Sequence, residues 1–390
     1  PSAGPTADAD FNGDCIVNLP DFLLFSEAFN STQKAFDLNH SGRVDFPDFL
    51  QFVQVFGQEV PVIFVDANLQ ALVRDSLAKS TGDILPSDVS DLTVLVGDSK
   101  DIVHLDGIEK LTSLRELRLS GNQIEDLSEL AGLTSLTVLH LNNNLVQDLS
   151  ALSNLTSLTE LILFGNQISE LSALSGLVSL KTLQLNGNQI VNLNPLLALT
   201  SLQSLQLSGN QIQDLSDLSA LTELTELVLF DNQIEDISAL ANLTALTEPD
   251  LSNNRIVEIT GLSNLSMLTM LKLERNQIKN LSALSTLPLL KEHFLSNNQI
   301  ESLTPLAMLI SITKLELSNN LITSLTPLAG LTMLAELDLA NNLVSDLLPL
   351  VNNNGIGGGD IVDVANNPLS SEATSNQIPA LETRGVLVFQ

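Results

Sequence analysis

The chain contains no tryptophan and no tyrosine, and its one cysteine is Cys15. A lone thiol excludes an internal disulfide framework. That fits a cytosolic protein or an exported bacterial one, and argues against the disulfide-capped repeat proteins of animal extracellular space. Without Trp or Tyr the side chains most used as binding anchors are missing, so phenylalanine must serve. Basic residues are scarce: 16 Lys and Arg stand against 46 Asp and Glu, for a formal net charge of −30. Such a polyanion repels nucleic acid and anionic lipid, whose binding depends on neutralising phosphate; it suits cations and basic protein patches. No stretch approaches the roughly 18 consecutive apolar residues of a membrane span. The four histidines, His40, His104, His140 and His293, are scattered. No phosphate loop, nucleophile elbow or zinc spacing accompanies them, so the chain reads as a non-enzyme. It begins at Pro1 without methionine, which reads as a processed or trimmed chain whose signal peptide, if any, is not visible.

What the chain has in abundance is periodic leucine. Asn122, Asn144, Asn166, Asn188, Asn210, Asn232, Asn254, Asn276, Asn298, Asn320 and Asn342 follow one another at steps of 22 residues. Around each the wording is LxxLxLxxNxIxxLxxLxxL, as in Leu114, Leu117, Leu119, Asn122, Ile124, Leu127, Leu130 and Leu133. This is the leucine-rich repeat period, one short strand per unit. The register resembles the bacterial internalin class over residues 92–367. The expected fold is a right-handed α/β solenoid of about twelve repeats with a parallel sheet on its concave face. A 22-residue unit leaves little room opposite the strand, so extended or 3₁₀ segments are expected there. The asparagines read as structural, satisfying backbone groups bared where each strand ends. Two core slots break the rule. Pro249 deletes a ladder donor and predicts a local distortion. His293 reads either as a switch or, preferably, as a core histidine satisfied by a neighbouring carbonyl.

Ahead of the repeats, two related segments begin 27 residues apart, at Asp10 and Asp37. Read as twelve-residue loops, they present Asp10, Asn12, Asp14, Asn18 and Asp21, and then Asp37, Asn39, Ser41, Asp45 and Asp48, at positions 1, 3, 5, 9 and 12. Position 7, Ile16 or Arg43, would add a backbone carbonyl. Oxygen ligands in this order suit Ca²⁺; the alternative is a pair of Asp/Asn-rich turns that cap helices without metal. Each loop runs into a helical pattern, with Phe22, Phe25 and Phe29 on one face and Phe49, Phe52 and Phe56 on the other. The segment resembles the dockerin type I and bacterial EF-hand family, a small all-α EF-hand pair. That resemblance implies two Ca²⁺ sites and, in true dockerins, docking to a cohesin-like module. Cys15 departs from the glycine usual at position 6, which Gly42 supplies in the second loop. Leu19–Pro20 and Phe46–Pro47 depart from the polar recognition residues usual at positions 10 and 11.

The domain reading is therefore a disordered stretch 1–7, a calcium-binding pair 8–57, a linker 58–65, an N-terminal cap 66–110, repeats 111–367 and a C-terminal cap 368–390. In the first cap, Asp66 starts a helix whose apolar face is Leu69, Leu72, Val73 and Leu77, and Lys100 takes the asparagine slot. Its wording resembles the amino-terminal cap of internalin-like proteins. The closing stretch reads as a helix followed by an edge strand.

Function then falls to surfaces. Residues flanking the strand leucines face outward, and most are polar or acidic. Ile162 with Phe164, and Val228 with Phe230, are bulky and apolar instead, with Val138 and Phe294 in the same columns and Glu160 and Glu226 beside them. An apolar patch rimmed by charge marks a contact site, so the concave face is expected to bind a protein. The other possibility is that these side chains pack on one another across the sheet. The leading reading is a secreted or surface-held bacterial ligand-binding protein with a calcium module; the alternative is an assembly component docked through residues 8–57 to a cohesin-like partner.

Overall fold

A computed structural model describes residues 5–390, which fall into two units, Pro1–Val138 and Leu139–Gln390. Of the stretch 1–7 expected to lack order, residues 1–4 lie outside the described residues, and Pro5–Asp8 form one helical turn, α1.

In the first unit, α2 (Leu19–Ala28) and α3 (Phe46–Val55) repeat each other at the 27-residue interval. Each begins after an extended residue, Asn18 or Asp45, and carries its proline at the first turn, where a helix needs no amide donor. This is the physical use of Pro20 and Pro47. Phe25 and Phe52 are fully buried and stacked, ring centroids 5.5 Å apart. Phe22 and Phe49 are half-buried, while Phe29 and Phe56 at the helix ends are exposed. Cys15 lies in the same small core, with Ala9, Val17, Val55 and Val60.

The segment 58–65, read as a linker, is tied down at both sides. Val17 N donates to Gln58 O (3.0 Å), Val60 N to Cys15 O (2.7 Å) and Val62 N to Ile84 O (2.7 Å). Next, α4 (Ala67–Ser76) starts at Asp66, whose Oδ1 accepts the amides of Asn68 and Leu69. Its Leu69, Leu72 and Val73 are buried and Leu77 is half-buried. A short α5 (Pro86–Val89) leads to β1 (Val94–Val96). β1 pairs in parallel with β2 (Glu116–Arg118), Leu95 opposite Leu117.

The second unit is a solenoid. Strands β4 (Glu160–Ile162), β5 (Thr182–Gln184), β6 (Ser204–Gln206) and β7 (Glu226–Val228) pair in parallel, one unit length apart; β3 (Val138–His140) precedes them. In each strand the central leucine is buried and its neighbours are half-buried. That alternation is what a strand with one buried face must show. Opposite the strands the chain makes 3₁₀ turns, such as Ser172–Leu174 and Ser216–Leu218. The repeat asparagines bond backbone, as at Asn210, whose Oδ1 accepts Ile190 N (3.0 Å) and whose Nδ2 donates to Leu185 O (3.0 Å) and Leu207 O (2.9 Å). One side chain thus clamps two successive turns.

Pro249 interrupts the sheet, as its missing amide requires. No strand forms there; Asp250 alone makes isolated bridges to Val228 and Lys272. Pairing resumes through β8 (Met270–Lys272), β9 (Glu292–Phe294), β10 (Lys314–Glu316), β11 (Glu336–Asp338), β12 (Ile361–Asp363) and β13 (Leu387–Phe389). Before β12 the inserted NNNGIGGG follows a short α6 (Leu348–Val351) and makes a glycine-rich turn. A side chain at Gly355 would stand 1.9 Å from Thr332 O, so only glycine fits. A π-helical turn (Ala373–Gln377), α7 (Ile378–Thr383) and edge strand β13 close the array. The Arg384 guanidinium holds this end by donating to the carbonyls of Val351, Asn353 and Ile356. Among the described residues no helix is long and apolar enough to cross a membrane.

Candidate functional site

In the two acidic loops, backbone amides grip the carboxylates and hold the turns closed around them. In the first, Asp10 accepts Gly13 N (3.0 Å) and Cys15 N (2.9 Å), and Asp21, fully buried, accepts Phe11 N (2.7 Å), Asn12 N (3.1 Å) and Asn18 N (2.9 Å). The second repeats this: Asp37 accepts Ser41 N (2.9 Å) and Gly42 N (2.7 Å), and Asp48 accepts Asn39 N (2.9 Å) and Asp45 N (2.8 Å). Carboxylate oxygens of Asp10, Asp14 and Asp21 all lie within 4.8 Å of one another. Asp14 is raised by burial, but bonds from Asn12, Ile16 and Asn18 and the nearby Lys110 charge bring its carboxyl below the usual range. At the matching ninth positions, Asn18 Oδ1 and Asp45 Oδ1 are buried without a hydrogen-bond partner. Such orphans cost roughly 1–3 kcal/mol each unless something else satisfies them.

The remaining loop positions differ. Ile16 O accepts Asn18 Nδ2 (3.0 Å), whereas Arg43 O accepts Ser41 Oγ (3.1 Å). Asn12 and Asn39 brace the turn by accepting Asp14 N and Ser41 N, each at 2.9 Å. Cys15 adopts φ +68° where Gly42 has φ +92°. The left-handed position belongs to the turn, and the cysteine tolerates it while burying its sulfur in the core.

On the sheet face of the second unit, Ile162 and Phe164 adjoin one another, as do Val228 and Phe230. All are half-buried except Phe230, which is 38% exposed. Backbone bonds place the intervening turns in order: Gly165 N donates to Asn186 O, Gly187 N to Ser208 O and Gly209 N to Phe230 O. Phe164 and Phe230 are thus three strand spacings apart, about 14 Å, too far to pack on each other. The strip between them is polar and already bonded. Asn186 Nδ2 donates to Gln206 Oε1 (3.0 Å), and Ser208 N and Oγ both donate to Asn186 Oδ1 (2.9 Å). Glu226 accepts Ser204 Oγ (2.7 Å) and Gln206 Nε2 (2.8 Å), and Glu160 Oε1 lies 2.7 Å from His140 Nε2. The two apolar pairs therefore stand on a surface whose polar groups hold fixed positions.

Phe294 belongs to a different set of strands, β8–β13, and is covered: Lys314 Nζ sits 5.3 Å over its ring. Bonds to Glu316 (3.0 Å) and Glu336 (3.2 Å) hold that ammonium and push its pKa up. Val138, half-buried, belongs to the first unit. Sequence reading overlooked Glu274, which occupies the column of Phe164 and Phe230 two units beyond the latter. Burial raises its carboxyl, against a bond from Ser252 Oγ (2.7 Å), and the charges of Asp250 and Glu316 raise it further. The register alone would have found it.

His293 corrects an expectation. It is fully buried, and neither ring nitrogen has a hydrogen-bond partner. Its strand neighbours in register are Leu271 and Leu315, so no carbonyl satisfies it, and burial lowers its pKa to about 4.

The family described as Leucine Rich repeats (2 copies) matches residues 112–154, 156–198, 178–220, 200–242 and 222–266. An internalin (inlF) of Listeria monocytogenes is 31% identical, with 85% of this chain and 98% of that one covered at a TM-score of 0.79. Internalin C2 of the same organism is 38% identical over 54% of this chain and 95% of its own, TM-score 0.52. A plant peptide hormone receptor, RGFR1 in complex with RGF2, shares the fold at 23% identity, covering 73% of this chain and 52% of its own, TM-score 0.58. No curated protein matches the sequence.

Proposed function

Because this chain belongs to the internalin-type leucine-rich repeat proteins, we propose that it is a non-enzymatic, surface-held or secreted bacterial protein that binds a protein ligand on the sheet face of its second unit. The observation that carries this reading is the pair of apolar steps, Ile162–Phe164 and Val228–Phe230, flanking a polar strip bonded in advance. Side chains that need no rearrangement lower the entropic cost of association. Phe164 and Phe230 are the anchors, and the surrounding carboxylates, Glu160 and Glu226 among them, favour a partner with a basic surface.

We further assign Ca²⁺ as the cofactor of the first unit. Asp10, Asn12, Asp14, Ile16 O, Asn18 and Asp21 would hold one ion, and Asp37, Asn39, Ser41, Arg43 O, Asp45 and Asp48 the other. A hard dication there neutralises crowded carboxylates. The orphaned oxygens of Asn18 and Asp45 support the fit.

A second reading, docking of the acidic module to a cohesin-like partner, is favoured by Leu19 and Phe46, 59% and 60% exposed at matching positions. One experiment separates the two. Phe164→Ser with Phe230→Ser should abolish capture of the partner and leave the melting temperature nearly unchanged, whereas Leu19→Ser with Phe46→Ser should leave capture intact. The reverse result selects the docking reading; collapse of stability in the first variant assigns the phenylalanines to the core.

A further inference from the structure

We propose that loading the first acidic loop with a divalent cation is transmitted to the amino-terminal cap of the solenoid, so that calcium steadies the cap as well as its own loop. This rests on the calcium reading above.

The 27-residue duplication supplies an internal comparison. In each loop the eighth residue joins a short pairing with a turn that follows a helix. Val44 pairs with Asn30 and Ser31 (2.8 and 2.9 Å), and Val17 with Gly57 and Gln58 (2.7 and 3.0 Å). The second loop's bonds end there: among the described residues, none from loop 37–48 reaches the cap. The first loop's bonds continue. Ile16 forms an antiparallel bridge with Glu59, and Cys15 O accepts Val60 N (2.7 Å). The Glu59 carboxylate accepts Ser87 N (2.9 Å) and Ser87 Oγ (2.6 Å) at the start of α5, and Val62 N donates to Ile84 O. From the other side Lys110, at the end of the 3₁₀ turn Ile108–Lys110, donates to Gly13 O (2.8 Å) in the middle of the loop. Residues 13, 15 and 17 are thus each bonded to residues 57–60 or to Lys110, with Ile16 held opposite Glu59 between them. Cys15 and Val60 also share one buried cluster.

The first loop gathers one oxygen from each of three carboxylates within 4.8 Å of one another, and like charges at that range repel. Opening the loop releases this repulsion and, through the bonds just named, frees the segment 57–62 and loosens the cap. A cation bound only to the closed form adds its binding free energy to every element that opens together with the loop. The second loop lacks that reach, so its occupancy stays local.

Hydrogen exchange on the full chain, with calcium and with chelator, tests this, alongside calorimetric titration of calcium. Calcium should slow exchange at residues 57–64 and 84–97 by at least about tenfold. Asp14→Asn, an exposed ligand of the first loop, should remove that protection, and Asp45→Asn in the second loop should keep it. Lys110→Met, which leaves every ligand in place, should weaken it. Protection confined to the two loops, or lost equally in D14N and D45N, overturns the coupling while leaving calcium binding intact. Unchanged protection in K110M removes Lys110 from the route. Absence of any calcium heat in the unmodified chain overturns the calcium reading and the coupling with it.

Discussion

His293 makes the residue scale measurable. Its imidazole titrates near 4 in the folded chain against 6.5 as a free group, because burial disfavours the charged form. Protonation therefore favours the unfolded state. Above the unfolded value both states are neutral and the shift has no effect on stability. As pH falls from 6.5 toward 4 the unfolded chain takes up the proton first and stability is lost, by a limit of about 3 kcal/mol. Other groups titrate over the same range, so the difference between variants is the readout. His293→Leu should flatten the fall in melting temperature between neutral and mildly acidic pH; parallel curves for the two proteins would show that the buried ring is not the acid-labile group. The slot's place in the core was legible from the leucine register, and so was the role of every asparagine. The absence of a partner was not, because it depends on Leu271 and Leu315 offering no acceptor from adjoining strands.

Elements follow the same division. Period and strand alternation identify the β4–β7 ladder and its 3₁₀ backs, since a unit this short fits nothing wider. Pro249 announced the gap in pairing, because a proline lacks the donor a ladder needs. Pro249→Leu restores both the amide and the side chain that other units carry at this slot. It should raise stability by about 1 kcal/mol and slow amide exchange at residues 248–252. Unchanged exchange would mean that the interruption has another cause. At the acidic loops the helices and their phenylalanine faces were readable, but the crossed pairing of Val17 with Gln58 and Val44 with Ser31 was not. Each joins one copy of the duplicated segment to the end of the other, a pairing that no local pattern encodes. Chelation should lower the helicity of α2 and α3, and calorimetry should resolve two calcium events. Unchanged helicity with no heat would leave the loops as helix-capping turns.

At the scale of the whole molecule, an excess of 30 negative charges sets the terms on which anything approaches. Association with a basic partner should slow as salt screens the field, while the apolar anchors remain unaffected. The domain division read from composition placed a linker at 58–65, where a break in periodicity was visible. The bonds across it were not, since Lys110 and Gly13 lie 97 residues apart. The sheet face, in contrast, was legible residue by residue once the asparagine ladder fixed which side chains point outward. What the sequence left open was whether Phe164 and Phe230 support each other, and their separation by Asn186 and Ser208 decides that they do not. The most direct measurement is the affinity of the captured partner for three proteins: the unmodified chain, Phe164→Ser with Phe230→Ser, and Val191→Ser with Leu197→Ser, whose side chains are exposed away from the sheet. The sheet-face variant should lose at least about fiftyfold in Kd and the control should lose almost nothing. Equal affinity for all three, or a loss confined to the control, would contradict binding through the sheet face.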